Sequence, residues 1–161
     1  MPRNISSLLV FLAVVIALSA FGARFGTGPW YAELIKPEWN PPAWLFAPVW
    51  STLYLLMAIS AWLVWTTGHA QRRLVIGWWF AQLVLNGAWS WLFFGLHRPG
   101  WALGEMTLLI AVLAITIRMS HIVRPIAAWL LSPYLAWLVF VWVLNFTLWR
   151  LNGGGLGTLF G

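Results

Sequence analysis

The chain contains no cysteine and no aspartate, and its only acidic residues are three glutamates. Without thiols it can form no disulfide, no zinc–thiolate site and no cysteine nucleophile. A catalytic triad built on aspartate is excluded for the same reason. These absences remove most thiol-dependent and triad-based enzymes before any motif is considered.

Charge of either sign is scarce. Nine basic and three acidic side chains stand among 161 residues, of which 62% are hydrophobic, so the chain could not cover itself with a polar surface in water. A span of about 20 apolar residues crosses a bilayer, and such segments occur at 5–23, 44–67, 74–96, 101–119 and 126–151. The first of them also has the pattern of a signal peptide. We predict an all-α integral membrane bundle of five transmembrane helices, forming a single domain over 1–152, with a flexible glycine-rich tail at 153–161.

The basic residues do not form one patch. The net charge of +6 suggests nucleic-acid binding at first, but five spans would divide these side chains between two membrane faces, which argues against a nucleic-acid partner. They are better interpreted as anchors to anionic lipid headgroups, which makes membrane lipid a partner. The N-terminal face receives Arg3, Arg72, Arg73, Arg118 and Arg124, and the opposite face receives Arg24, Lys36, Arg98 and Arg150.

The three histidines fall in three separate loops, as His69, His97 and His121. A shared metal ion or a bis-histidine haem needs at least two histidines within a few ångström of each other. The sequence therefore predicts no metal site.

Polar and aromatic side chains recur at helical spacing along three of the predicted spans. Asn86 on the third span and Asn145 on the fifth each share a helix face with aromatic residues. An amide facing lipid without a partner is costly, so both faces are expected to point into the bundle. Alternatively, the amides only hold helices together and the aromatics only fill the core. The predicted interior surface consists of Trp50, Tyr54, Asn86, Trp89, Phe93, Trp137 and Asn145.

A rigid loop leads into the second span. Pro41-Pro42 presets the chain direction, and Pro42 suits the first turn of a helix because it needs no backbone donor there. Trp39 and Trp44 flank this corner. The chain also has 15 tryptophans, more than an interfacial belt requires. Together these features favour a lid over a cavity that suits a flat aromatic ligand.

Motifs in the first loop and on three spans occur in a recognisable order. They are Trp30-Tyr31, Lys36-Pro37, Trp39, Pro41-Pro42, Trp50, Leu53-Tyr54, Asn86, Trp89-Ser90, Leu92-Phe93-Phe94-Gly95, Pro133-Tyr134, Trp137 and Leu144-Asn145. In this order and on these spans, they resemble the tryptophan-rich sensory protein and mitochondrial translocator protein family, also called the peripheral-type benzodiazepine receptor family. The resemblance covers roughly residues 5 to 152.

The resemblance implies a five-helix bundle with a pocket beneath the first loop. Such a pocket binds porphyrins, among them protoporphyrin IX and haem, and synthetic isoquinoline or benzodiazepine-type ligands. The porphyrin is then a ligand, and no cofactor is obligatory. No catalytic residue is expected, although Trp50 and Trp137 would be the relevant indoles if light- or oxygen-dependent porphyrin breakdown occurs. The implied ligand-binding residues are Tyr31, Trp39, Pro42, Trp50, Tyr54, Asn86, Trp89, Phe93, Trp137 and Asn145.

The resemblance also implies a homodimer, and the third span offers a surface for one. Gly77 and Ala81 form a small-xxx-small pair that would let two helix backbones approach closely, on the side of the helix away from Asn86. A cholesterol-associated pattern found near Arg150 in the family lacks its tyrosine, because Phe146 and Trp149 precede the arginine here. The sequence therefore gives little support for sterol binding.

These features indicate a membrane receptor or binding protein for tetrapyrroles that acts in porphyrin sensing, transport or scavenging. Two alternatives remain, a small-molecule transporter and a membrane scaffold that regulates a partner complex. We expect a multi-pass protein of a bacterial membrane, inner or outer.

Overall fold

A computed structural model describes residues 5–154, which form five long helices, one short helix and a π-helical turn. Of the predicted tail at 153–161, residues 155–161 lie outside this range. The long helices confirm the predicted all-α membrane bundle, with boundaries within a few residues of the predicted spans. The elements are α1 (Ile5–Ala23), α2 (Pro29–Glu33), α3 (Ala43–Trp65), α4 (Arg72–Ser90), the π-turn (Trp91–Gly95), α5 (Pro99–Val123) and α6 (Pro125–Leu151).

Proline marks where several helices begin. Pro42 is the N-cap of α3 in an extended conformation, and Pro99 and Pro125 lie in the first turns of α5 and α6. Proline lacks an N–H, and the first turn of a helix has no carbonyl partner for that N–H. The helices therefore start at these prolines without loss of a backbone hydrogen bond.

The protein is an integral membrane protein. α1, α3, α5 and α6 are long and apolar enough to cross a bilayer. α4 has the same 19-residue length as α1, but it begins with two arginines and carries Gln82 and Asn86, both of which are buried inside the bundle. The polar face of α4 thus points away from lipid, as the sequence predicted.

The long helices close into a ring in the order α1, α3, α6, α5, α4, with a further contact between α3 and α4 across it. Phe11 and Val15 bury α1 against its neighbours, so this segment packs as one member of the bundle. Because successive long helices alternate in direction, the bundle has two ends. The loop face carries α2 and the α4–α5 connection, and the opposite face carries the connections α3–α4 and α5–α6.

Glycine permits a close crossing between α1 and α4. A Cβ added at Gly87 would lie 2.8 Å from Leu18 Cδ1 and 3.5 Å from Phe21 Cδ1. Real carbon atoms essentially never approach that closely, so a larger residue at Gly87 requires the Leu18 and Phe21 side chains of α1 to shift. Gly104 on α5 differs, since an added Cβ there would meet no heavy atom of the described residues within 4 Å.

We therefore expect Gly87→Leu to destabilise the protein by overpacking, at a cost of about 1–3 kcal/mol in the free energy of unfolding. Gly104→Leu is the matched control. Its free energy of unfolding should be unchanged or slightly higher, because leucine has a higher helix propensity than glycine. Thermal unfolding in detergent, followed by circular dichroism, measures both. Equal melting temperatures for the two variants would contradict the close α1–α4 crossing.

Candidate functional site

A small cavity lies at the loop face of the bundle, between α3, the end of α4 and α6, and beneath α2. Its volume is about 30 Å³. Its walls are mostly aromatic and aliphatic, with one amide. The lining residues are Tyr31, Phe46, Trp89, Phe93, Phe94, Val141, Leu144, Asn145 and Leu148.

Aromatic rings fill the space around this cavity by packing on one another. Trp89 and Phe93 stack with centroids 5.4 Å apart and planes inclined by 23°. Tyr31 of α2 meets Phe93 and Phe94 edge to face, at 6.3 and 5.6 Å. The π-turn ends α4 at this point, with the Leu96 N–H donating to the Trp91 carbonyl at 2.8 Å. Such wide turns often occur at functional sites.

Three buried polar atoms in and beside the cavity have no hydrogen-bond partner among the described residues. They are Nε1 of Trp89, Nε1 of Trp137 and Oδ1 of Asn145. Trp137 packs edge to face on Phe46, at 5.9 Å. The amide nitrogen of Asn145 is satisfied, since it donates to the Pro99 carbonyl at 2.9 Å, so only its oxygen is free. The site therefore offers two N–H donors and one carbonyl acceptor within an aromatic surround.

A polar cluster lies deeper in the membrane than the cavity. The Tyr54 hydroxyl donates to Asn86 Oδ1 at 3.0 Å, and Asn86 Nδ2 donates to the Tyr134 hydroxyl at 2.9 Å. Trp50 stacks on Tyr54 with centroids 5.4 Å apart and meets Tyr134 edge to face at 6.2 Å. The Asn86 amide thus joins α3, α4 and α6 through its own oxygen and nitrogen.

The first loop covers the cavity and is tied down at two places. The Ile35 N–H donates to Asn152 Oδ1 at 2.9 Å, and Asn152 Nδ2 donates back to the Ile35 carbonyl at 3.0 Å. Trp30 stacks on His97 of the α4–α5 connection at 4.4 Å. We call the paired bonds between Ile35 and Asn152 the clasp, because they fasten the loop to the end of α6.

Tyr31 holds the loop side of the cavity. Its hydroxyl donates to Asn40 Oδ1 at 3.4 Å, and the Lys36 ammonium lies 4.8 Å from the centre of its ring. Burial raises the pKa of the Tyr31 phenol, and the hydrogen bond with Asn40 lowers it by a smaller amount. The phenol is therefore protonated and acts as a donor.

The ten sequence-predicted ligand residues fall into four groups. Tyr31, Trp89, Phe93 and Asn145 line the cavity. Trp137 flanks it, whereas Trp50, Tyr54 and Asn86 form the deeper cluster. Trp39 and Pro42 lie outside on the loop, where Trp39 is 48% exposed and touches Phe140 edge to face.

Sequence reasoning left out several residues that belong to this region. Tyr134 was part of a motif but not of the predicted site, although its spacing of three from Trp137 places it on the same face of α6. Phe46 also precedes Trp50 by one turn. Phe94 and Leu144 were also parts of motifs. Their spacing did not point to the site, because each is next in sequence to a residue of the predicted helix face and not on that face.

No group of three histidine or acidic side chains within residues 5–154 could hold a metal ion. The cavity walls carry aromatic rings, aliphatic side chains and one amide. These walls are suited to a flat conjugated molecule with polar substituents.

Residues 7–150 match the TspO/MBR family. The chain belongs to this family. It is 44% identical to the translocator protein of Homo sapiens over 142 residues, which cover 84% of each chain. It is 40% identical to the tryptophan-rich protein TspO of Archaeoglobus fulgidus over 151 residues, covering 93% of this chain and 97% of the relative. A tryptophan-rich sensory protein of Cereibacter sphaeroides is 36% identical over 144 residues, covering 89% of this chain and 90% of the relative.

Membership of the TspO/MBR family agrees with an integral membrane protein. The relatives come from mammals, an archaeon and bacteria. Family membership therefore does not select a bacterial membrane over an organellar one, and the bacterial location stays a prediction.

Removing the Asn86 amide should destabilise the bundle. We expect Asn86→Leu to lower the free energy of unfolding by about 1–3 kcal/mol, because it leaves the buried Tyr134 phenol and the half-buried Tyr54 phenol without their partner. Tyr54→Phe should cost less, about 0.6 kcal/mol, the average for a hydrogen bond within a membrane. Denaturant unfolding in detergent measures both values. If Asn86→Leu proves as stable as the unaltered protein, the amide does not join the three helices.

Proposed function

We propose that this TspO/MBR family protein binds tetrapyrroles in the cavity beneath its first loop, as a membrane receptor in porphyrin sensing, transport or scavenging. The observation that carries the proposal is the set of unpartnered polar atoms among stacked rings. A buried polar group without a partner costs about 1–3 kcal/mol. A ligand that supplies both a conjugated face and hydrogen-bonding groups removes that cost.

A porphyrin such as protoporphyrin IX offers groups that match these atoms. Its two carboxylates can accept from the indole N–H groups of Trp89 and Trp137, and its inner pyrrole N–H groups can donate to Asn145 Oδ1. Its macrocycle can stack on the aromatic walls. Isoquinoline and benzodiazepine-type ligands share the flat aromatic body and fit the same walls with fewer polar contacts.

Binding requires the site to open. The cavity has a volume of about 30 Å³, whereas small-molecule pockets commonly measure about 300–1,000 Å³. The rings that must move are those held by the loop. Tyr31 packs on Phe93 and Phe94, and its hydroxyl makes a long 3.4 Å hydrogen bond with Asn40. Displacement of Tyr31 together with the loop is therefore the access step.

The names of these relatives agree with a role in moving or sensing small molecules. The human relative is called a translocator protein, and the Cereibacter sphaeroides relative is called a sensory protein. A binding site common to both roles explains how one fold serves either. The chemistry of any porphyrin breakdown would then belong to the bound ligand, with Trp137 beside the cavity and Trp50 one layer deeper as electron donors.

We expect protoporphyrin IX to bind the purified protein with micromolar affinity or better. Trp89→Phe removes the indole N–H, and Asn145→Leu removes the amide oxygen together with the amide nitrogen that donates to Pro99. Each should weaken binding by about tenfold, as loss of a hydrogen bond worth about 1–3 kcal/mol implies. The porphyrin's own absorbance is the measurement, since it does not depend on the number of tryptophans. Trp129→Phe, at the opposite membrane face and 70% exposed in the unaltered protein, is the control and should bind normally.

Unchanged affinity in both cavity variants would show that this cavity is not the porphyrin site.

The same titration under illumination tests whether the indoles act as electron donors. The double variant Trp50→Phe and Trp137→Phe should bind porphyrin more weakly, because the Trp137 N–H is lost, and at saturating porphyrin it should lose any light-driven bleaching. Unchanged bleaching would exclude these two side chains as electron donors. Porphyrin flux into proteoliposomes without saturable binding would instead favour a transporter.

The proposed receptor is a homodimer joined through α4. Gly77 is exposed on the lipid side of α4, and an added Cβ there would meet no described heavy atom within 4 Å. Exposed apolar residues surround it, including Phe80 and Val84, which are 43% and 69% exposed. Ala81 completes the small-residue pair. In a bilayer, helices associate by close backbone packing at such small residues, so this face suits a second copy of the chain.

Gly77→Trp should convert the dimer to a monomer without harming the fold, because the added ring has free space within one protomer but not across the interface. Chemical cross-linking in membranes and light scattering in detergent measure the mass. Gly104→Trp is the matched control on α5, where an added Cβ is equally unobstructed, and it should leave the dimer intact. A dimer that survives Gly77→Trp places the interface elsewhere.

A further inference from the structure

A second, larger groove lies far from the aromatic cavity. It has a volume of about 510 Å³ and runs between α5 and α6 at the face opposite the first loop. Its floor includes Ala114 and Ala128, and its rim carries Arg118, His121 and Trp129. Nothing in the proposed porphyrin site uses this groove.

Small and large side chains together shape the groove. Ala114 on α5 and Ala128 on α6 leave room between the helices, while Trp129 is 70% exposed beside them. The lining spans Ala114 to Ile122 on α5, which corresponds to about 12 Å along the helix axis at 1.5 Å per residue. Exposed tryptophan and basic residues near helix ends typically sit at headgroup level. The groove therefore begins at the headgroups and extends into the acyl-chain region.

The charged side chains in the two connections at this end of the bundle, α3–α4 and α5–α6, are all basic. Arg118 and His121 lie at the groove, with Arg124 in the connection directly after α5. The three glutamates of the chain all lie towards the loop face, at Glu33, Glu38 and Glu105. Glu105 and Arg118 are separated by 13 residues of α5, about 20 Å along the helix. No acidic side chain of the protein is thus available to neutralise the groove.

We propose that this groove is a binding site for one anionic phospholipid, with its phosphate at Arg118 and His121 and an acyl chain along the floor formed by Ala114 and Ala128. The arginine contributes a fixed positive charge and several N–H donors, and either protonation state of the imidazole contributes at least one N–H donor. The alanines admit the chain because larger side chains would close the space. The site is independent of the porphyrin cavity.

The depth of the groove favours a lipid over a small anion. A free phosphate would need only the rim, whereas the lining continues through Ala114 and Ile117, which offer no polar group to an anion. The other polar lining residue, Ser132, donates its hydroxyl to the Ala128 carbonyl at 3.3 Å. A zwitterionic lipid would fit the floor equally well, but its headgroup would bring a positive charge beside Arg118. The basic residues at the rim favour an anionic headgroup, and the long apolar floor favours a molecule with an acyl chain.

Native mass spectrometry of the full chain, released from nanodiscs that contain equal amounts of phosphatidylglycerol and phosphatidylcholine, tests this site. The unaltered protein should retain phosphatidylglycerol preferentially. The double variant Arg118→Gln and His121→Gln should lower that occupancy by at least about fivefold, the effect of roughly one juxtamembrane basic side chain. Ala114→Phe, which fills the floor from an exposed position and leaves the charges intact, should lower it as well.

Arg73→Gln is the matched control, since Arg73 is an exposed arginine at the same membrane face but outside the groove. Its phosphatidylglycerol occupancy should be unchanged. Equal retention of the two lipids by the unaltered protein, or equal losses in Arg73→Gln and the groove variants, would overturn the proposal in favour of diffuse attraction. Full retention in Ala114→Phe, or displacement of the lipid by inorganic phosphate alone, would also overturn it, because the acyl chain would then contribute nothing.

Discussion

The paired hydrogen bonds of the Asn86 amide fix the relative positions of α3, α4 and α6, and the aromatic cavity above them depends on that arrangement. In hydrocarbon no water can satisfy an amide, so Asn86 must find its partners within the bundle. Tyr54 and Tyr134 supply them at 3.0 and 2.9 Å. A rotation of any one of the three helices would break a bond that lipid cannot replace. The facing surfaces of these helices are thereby set, and with them the side chains that reach the loop face.

Above this polar layer the protein fills the proposed binding site with its own side chains. Trp89, Phe93 and Tyr31 occupy the space between the helices by packing on each other, which is why the cavity is small. A tetrapyrrole would exchange ring-to-ring contacts inside the protein for ring-to-ligand contacts of the same kind. The dispersion terms then nearly cancel, and the unpartnered atoms of Trp89, Trp137 and Asn145 decide which flat molecule is preferred. Selectivity in such a site comes from a few polar atoms on an aromatic background.

The sequence predicted the spanning helices well because each is a long apolar run bounded by proline, glycine or charge. It also predicted that Asn86 and Asn145 face inward, since an amide in lipid is costly whatever its neighbours are. Periodicity reports the face of a helix but not the partner across it, so the roles of Tyr134 and Asn152 did not follow from spacing. The π-turn that ends α4 was equally hidden, because it departs from the regular period that the prediction assumes. The groove between α5 and α6 arises from small residues on two helices, whose alignment only the packed structure reveals.

The clasp between Ile35 and Asn152 joins positions 117 residues apart in the chain. Membrane proteins are inserted from the N-terminus during synthesis, so α1, α2 and the first loop are in place long before Asn152 has been made. Until α6 has crossed the bilayer, the loop has no partner for its Ile35 backbone groups, and the wall of the cavity that α6 supplies does not exist. The proposed site is therefore completed only when α6 is inserted. A chain interrupted before α6 is made therefore lacks both the clasp and one wall of the proposed ligand site.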